Sequence, residues 1–331
     1  MAGSVSPTAA APQRPGVGAE GDAAYRIVLE GVDVAYPLPD GGTKVVLNNV
    51  DLRIRAGEFV SLVGPTGCGK STLLRMILGS QFPTSGKVLV DGQPVTGVGP
   101  DRGIVFQRYS LFPHLSVLDN IAFGPLLAEC SITDRVLLTP SFRRARARHR
   151  AAARDFVLDI GLAAGDADKY PHQLSGGMQQ RVAIAQALIM RPSVLLMDEP
   201  FGALDHNTRA EMQLLLLEQW KSHRTTILFV THDLQEACFV GSRIIALSQH
   251  WLYDGGELGR GAVIVCDRTT PGGHPKPTAI TASIAFLELL DEVKRSALDP
   301  DGRQRLSQFD IDHADAMPSR PDPVANASSD A

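Results

Sequence analysis

The sequence predicts an α/β fold: a parallel sheet flanked by helices, with an α-helical segment inserted into it. Three observations carry that expectation. Short apolar runs recur between residues 26 and 247, and several are apolar on both faces, as strands buried between helix layers are. Helical stretches alternate with them. From about Arg108 to His172 the strand pattern stops, and Ala, Leu and Arg dominate, with Pro113, Pro125, Pro140 and Pro171 as breakers.

The elements follow in order. Residues 1–25 mix small residues and prolines without periodicity and are expected to form a flexible lead. The predicted strands are Arg26–Leu29, Phe59–Val63, Lys87–Val90, Gly103–Phe106, Val194–Met197, Thr226–Val230 and Arg243–Leu247. Helices are expected at Ser71–Leu78, Met178–Met190 and Thr208–Lys221. The core domain would span 26–250, with the helical insertion at about 108–172. An extension over 251–297 carries one possible strand, Ala262–Cys266, and one helix, Thr281–Ala297, whose apolar face would be Ile284, Leu287, Leu290 and Val293. From Leu298 the chain is polar and Asp/Pro-rich, and 298–331 reads as a mobile tail.

With 331 residues, 44% of them hydrophobic, the chain buries a core without needing disulfides or metals. Cys68, Cys130, Cys238 and Cys266 lie too far apart for a zinc motif or a disulfide framework, and a reducing compartment is expected. A net charge of -4 argues against a general nucleic-acid coat protein. No run approaches the length of a membrane span, so work at a membrane would need another chain to cross it. The Arg-rich run Arg143–Arg150 could serve a nucleic-acid patch or a lipid-facing face, but with no interleaved aromatics in an acidic chain it reads first as a solvated helix face.

The chemistry is concentrated in two motifs. Gly64-Pro65-Thr66-Gly67-Cys68-Gly69-Lys70-Ser71 fits G-x-x-x-x-G-K-[ST], follows a strand and opens a helix. Backbone N–H groups and a helix N-terminus then converge on one point, which suits phosphate oxygens. Lys70 would reach the β and γ phosphates, and the Ser71 hydroxyl, with Thr72 beside it, would serve Mg²⁺. Asp198 and Glu199 end an apolar strand, where buried acids need a cation partner. Asp198 is the expected Mg²⁺ holder and Glu199 the general base for an attacking water.

Leu174-Ser175-Gly176-Gly177-Met178-Gln179-Gln180-Arg181 resembles the signature of ATP-binding cassette (ABC) ATPases. The resemblance covers Arg26 to Leu247 and implies a P-loop NTPase fold, with a RecA-like core, an antiparallel β subdomain and an inserted α-helical subdomain. It implies that Tyr36 stacks on adenine, that Gln107 senses Mg²⁺ and the attacking water, and that Ala203-Leu204-Asp205 crosses to a second cassette. It also makes His232 the switch residue on the γ phosphate. ATP would be sandwiched between one phosphate loop and the Ser175, Gly176 and Gly177 of a second cassette, so a homodimer is implied. The stretches Phe112–Gly124 and Met197–Asp205 are similar to importer ATPases of the nitrate, sulfonate and taurine type. That similarity implies a peripheral protein on the cytoplasmic face of the membrane, beneath a permease fed by a substrate-binding protein. Tyr109, Leu111, Phe112 and Leu115 are the candidate permease contacts. The alternatives are an exporter ATPase, or a non-transport cassette on ribosomes or DNA. Residues 129–150 and 248–271 are longer than the family pattern.

Overall fold

The computed structural model describes residues 25–107, 110–272, 278–299 and 301–321. Two sheets organise them. The first is antiparallel and contains β1 (Tyr25–Pro37), β2 (Thr43–Arg55), β4 (Ser85–Val90) and β5 (Gln93–Pro94), in the order β2-β1-β4-β5. The second contains β3 (Phe59–Val63), β6 (Arg102–Phe106), β7 (Val194–Asp198), β8 (Thr226–Val230) and β9 (Arg243–Ser248), which pair in parallel. Every residue of β3, β8 and β9 is buried, as strands covered on both faces must be. β11 (Val263–Thr269) pairs antiparallel with β9, and β13 (Asp310–Ile311) extends the edge, giving β13-β11-β9-β3-β8-β7-β6. A short parallel pair joins β10 (Trp251–Leu252) to β12 (Gln304–Arg305).

Helix α1 (Lys70–Leu78) leads from β3 to β4 of the first sheet, and α6 (His206–His223) and α7 (Leu234–Val240) connect strands of the second. Between β6 and β7 lie α2 (Val117–Glu129), α3 (Ile132–Val136), α4 (Pro140–Asp159) and α5 (Gly176–Leu188). Each of these four starts with a hydroxyl on an open backbone N–H: Ser116, Ser131, Thr139 and Ser175 respectively.

The C-terminal part departs from the sequence expectation. Residues 301–321 do not form a mobile tail; they pack back on the core. Asp315, 6% exposed, accepts hydrogen bonds from Tyr25 Oη (2.8 Å) and Arg55 Nη2 (2.6 Å), and Arg268 Nη1 lies 2.8 Å from Asp310. The acids that read as solvated are therefore partners for cations far away in the chain. The expected break at residue 250 is crossed by the β9–β11 pairing and by Arg243, 1% exposed, whose Nε and Nη2 each lie 2.6 Å from the Asp267 carboxylate. Helix α8 (Ile284–Val293) is shorter than expected and turned: Phe286, Leu289 and Val293 are buried, while Ile284 is 75% exposed and Leu287 52%. The 1–24 part of the expected lead lies outside the described residues, and Tyr25 already belongs to β1.

Candidate functional site

The loop Gly64–Gly69 leaves β3 at its C-terminal end and enters α1, with Gly64, Gly67 and Gly69 at φ 153°, 83° and 101°. Gly64 admits no side chain, since a Cβ there would sit 2.3 Å from Leu247 O. Gly67 faces open space on the outside of the loop. Pro65 is half-buried, Thr66 is exposed, and Cys68 is buried with its thiol pushed up by that burial. Thr72 follows half-buried in the first turn of α1. Lys70, 8% exposed, donates from Nζ to Gly64 O (2.8 Å) and Pro65 O (2.9 Å), so its charge is held against the loop.

Among the described α-helices, α1 alone lacks a side-chain cap at its N-terminus; α6, α7 and α8 are capped by Asp205, Asp233 and Ser283. Its first backbone N–H groups are therefore left for an anion, and the dipole favours one there.

Parallel pairing fixes the rest. β7 lies between β6 and β8, and its register sets Phe106 opposite Asp198 and Asp198 opposite Val230. The ends of these strands, with α1, leave a cleft of about 460 Å³ lined by Ser71, Phe106, Gln107, Ser110, Asp198 and Glu199. Ser71 Oγ is 3.4 Å from Asp198 Oδ1, too long for a strong hydrogen bond and open enough to admit a cation between them. Burial pushes the Asp198 carboxyl above its usual range, so a cation there would compensate an otherwise costly charge. Hydroxyl, amide and carboxylate oxygens are the donors Mg²⁺ prefers.

Glu199 adopts φ 47°, a left-handed conformation uncommon for a non-glycine residue, while its N–H donates to Val230 O (2.9 Å). That twist at the strand end brings its carboxylate 3.2 Å from Nδ1 of His232, which follows β8 and is well exposed. His232 also borders a second opening of about 810 Å³, lined on the far side by Asp291, Lys294, Arg295, Leu298 and Asp299.

The structure thus brings together Ser71, Gln107, Asp198, Glu199 and His232, with Lys70 on the adjoining loop. It does not bring Ser175, Gly176 or Gly177 to the cleft: Ser175 Oγ accepts from Met178 N (3.3 Å) at the start of α5. Asp205 caps α6 through Thr208 N (3.1 Å), hydrogen bonds from the Thr208 side chain and backbone lower its pKa, and it is not among the residues that line the cleft. Tyr36, 43% exposed on β1, accepts from Gln81 Nε2 (2.6 Å). Of the expected permease contacts, Leu111, Phe112 and Leu115 are half-buried, and Tyr109 lies outside the described residues.

Ser110 and a set of connecting residues escaped the sequence reading. Arg209 donates from Nη2 to Leu204 O (3.2 Å) and pairs through Nη1 with Asp233 (3.4 Å), linking the Asp205 loop to the residue after His232. The Thr231 hydroxyl donates to the buried Glu236 carboxylate (2.6 Å) and accepts from Asp233 N (3.1 Å). A helix-borne Arg and Glu carry no motif of their own, so no sequence signal marks them.

The sequence model of the ABC transporter family matches residues 47–202. The chain is similar to the bicarbonate transport ATP-binding protein CmpD of Synechocystis sp. (44% identical, covering 67% of this chain and 74% of that one). It is likewise similar to the nitrate import ATP-binding protein NrtD of the same organism (46% identical, 62% and 72%). Among solved structures, it is similar to the dimeric post-hydrolysis state of the ATP-binding cassette MJ0796 bound to ADP and Pi (31% identical, TM-score 0.58, covering 75% of this chain and 100% of that one).

Proposed function

We propose, for a chain that belongs to the ATP-binding subunits of ABC transporters, that the cleft at Ser71, Gln107, Asp198 and Glu199 is its hydrolytic centre. The chain is an importer ATPase. The observation that carries the site is the convergence of these four side chains on one cleft, beside an uncapped helix N-terminus and the His232–Glu199 contact.

Lys70 would exchange the Gly64 and Pro65 carbonyls for phosphate oxygens, joined by the loop amides. Ser71, Asp198 and Gln107 would hold Mg²⁺, which supplies charge neutralisation at the phosphates. Glu199 orients the attacking water and takes up its proton, and His232 keeps that carboxylate in place while donating toward the γ phosphate. Tyr36 would stack on the adenine. Catalysis is then mostly positioning and electrostatics.

Ser175, Gly176, Gly177 and Asp205 lie outside the cleft, and this supports completion of the site by a second copy, whose α5 N-terminus would face the γ phosphate. Among the described residues no helix is long and apolar enough to cross a membrane. We therefore assign the chain to the cytoplasmic face of a permease supplied by a binding protein, with Leu111, Phe112 and Leu115 toward the permease. The names of CmpD and NrtD favour a small oxyanion, nitrate or bicarbonate, over a sulfonate or taurine as the imported solute.

The test is uptake in the host. Deletion of the chain should abolish uptake of labelled nitrate or bicarbonate, wild type should restore it, and Lys70→Ala should not. Unchanged uptake of both anions on deletion would contradict the oxyanion assignment.

A further inference from the structure

The helical hairpin of α2 and α4 is closed at its far end by α3, in the stretch that is longer than the family pattern, and the hydrolytic site uses none of it. A small apolar cluster of Leu126, Cys130, Phe142 and Ala145 holds the end of α2 against the start of α4, and α3, which buries none of its own residues, bridges them. Asp134 accepts from Ser131 Oγ (2.5 Å) and Thr139 Oγ1 (3.0 Å) and fixes the turn that follows.

On that frame four large aliphatic side chains face solvent: Ile132 (71% exposed), Val136 (73%), Leu137 (73%) and Leu138 (52%). Ile132 and Val136 are one helical turn apart and share a face. Single exposed aliphatics are ordinary, but four within seven residues form a patch that marks an interaction site.

The rim is cationic. Arg135, Arg143 and Arg144 have no acidic partner among the described residues; Arg135 Nε and Arg144 Nε donate only to their own helix carbonyls, Ser131 O (3.3 Å) and Pro140 O (3.2 Å). Further along α4, exposed Arg146 and Arg148 pair with Asp119 and Glu129. Against a net charge of -4 for the whole chain, this end is locally positive.

We propose that the α3 tip enters the headgroup layer of an anionic lipid surface, with Ile132, Val136, Leu137 and Leu138 at the acyl boundary and Arg135, Arg143 and Arg144 on lipid phosphates. The chemistry selects this occupant. The patch is a hairpin end, not a groove, and offers aliphatic carbon with no aromatic anchor for a protein hot spot and no ring for stacking a base. Aliphatic side chains ringed by arginine are what an anionic interface recognises. The inference rests on the transporter reading only for bringing the chain to a bilayer.

The experiment is flotation of the full chain with phosphatidylcholine vesicles that contain or lack phosphatidylglycerol. Wild type should float only with the anionic vesicles. Binding should weaken roughly tenfold or more in Ile132→Ser/Val136→Ser/Leu137→Ser and in Arg143→Gln/Arg144→Gln, with ATP turnover in solution unchanged in both. No flotation of wild type, or equal flotation of the triple variant, would overturn the proposal. So would loss of permease binding in the triple variant without any vesicle binding by wild type, which would assign the tip to a protein. Because vesicle binding is read without turnover, its failure is distinguishable from failure of the ATPase reading.

Discussion

His232 Nδ1 lies 3.2 Å from Glu199 Oε2, which joins the loop two residues beyond β8 to the residue that directly follows β7. On the proposed assignment, this contact lets His232 orient the carboxylate that acts as base. His232→Ala should therefore cut ATP turnover by about 10²–10³-fold while nucleotide affinity stays within a few-fold. Steady-state turnover together with equilibrium titration of a fluorescent nucleotide checks this; equal losses in both would make His232 a binding residue instead.

Glu199 holds a left-handed backbone, φ 47°, that costs a non-glycine residue about 1–3 kcal/mol. Glu199→Gly should leave thermal stability unchanged or raise it by up to about 1 kcal/mol, and abolish turnover. A marked loss of stability would mean that the carboxylate is structural. The proposed catalytic role of Glu199 accounts for a strained acid just beyond this strand.

Arg209 touches both Leu204 O and Asp233, so it spans the loop expected to cross to a second cassette and the loop that carries His232. Arg209→Ala should lower turnover roughly 2- to 30-fold, with nucleotide affinity preserved. Arg209→Lys can keep one of the two contacts and should recover part of the loss. An unaffected kcat in the Ala variant would remove this link.

Asp315 is held at a pKa of about 2, below its ordinary 3.8, chiefly by the hydrogen bond from Arg55 and also by Tyr25. Its folded pKa is depressed, so the stabilisation is complete above the ordinary carboxylate range and is lost as pH falls from about 4 through about 2. With Arg55 half exposed to solvent, the contribution at neutral pH is about 1–2 kcal/mol. Asp315→Asn should lose that amount at pH 7 and flatten the acid limb of the stability curve. Denaturant midpoints at pH 7 and pH 3 measure both.

What the sequence made legible was local. Phe59–Val63 and Thr226–Val230 are apolar on both faces, and burial on both faces is what they do. The phosphate loop and the Asp198-Glu199 pair each lie within a few consecutive residues, so spacing alone points to their chemistry. β2 is not among the predicted strands, because Lys44, Asn48, Asn49, Asp51 and Arg53 interrupt its apolar residues, and its pairing with β1 runs through several register shifts. The 301–321 segment was misread because its order depends on Arg55 and Arg268, which no local pattern connects to Asp315 and Asp310. Phe286 and Leu289, not Ile284 and Leu287, face the core because α8 is phased by its contact with α7, which periodicity within one helix does not determine.

The most direct measurement is the mass of Glu199→Gln in solution, with ATP and with ADP, by light scattering. Loss of the base with retention of the phosphate loop should trap the sandwiched state, giving a dimer with ATP and a monomer with ADP, and no turnover. A variant that stays monomeric with ATP bound, or that hydrolyses ATP at the wild-type rate, would contradict a hydrolytic centre built on Glu199 and completed by a second copy.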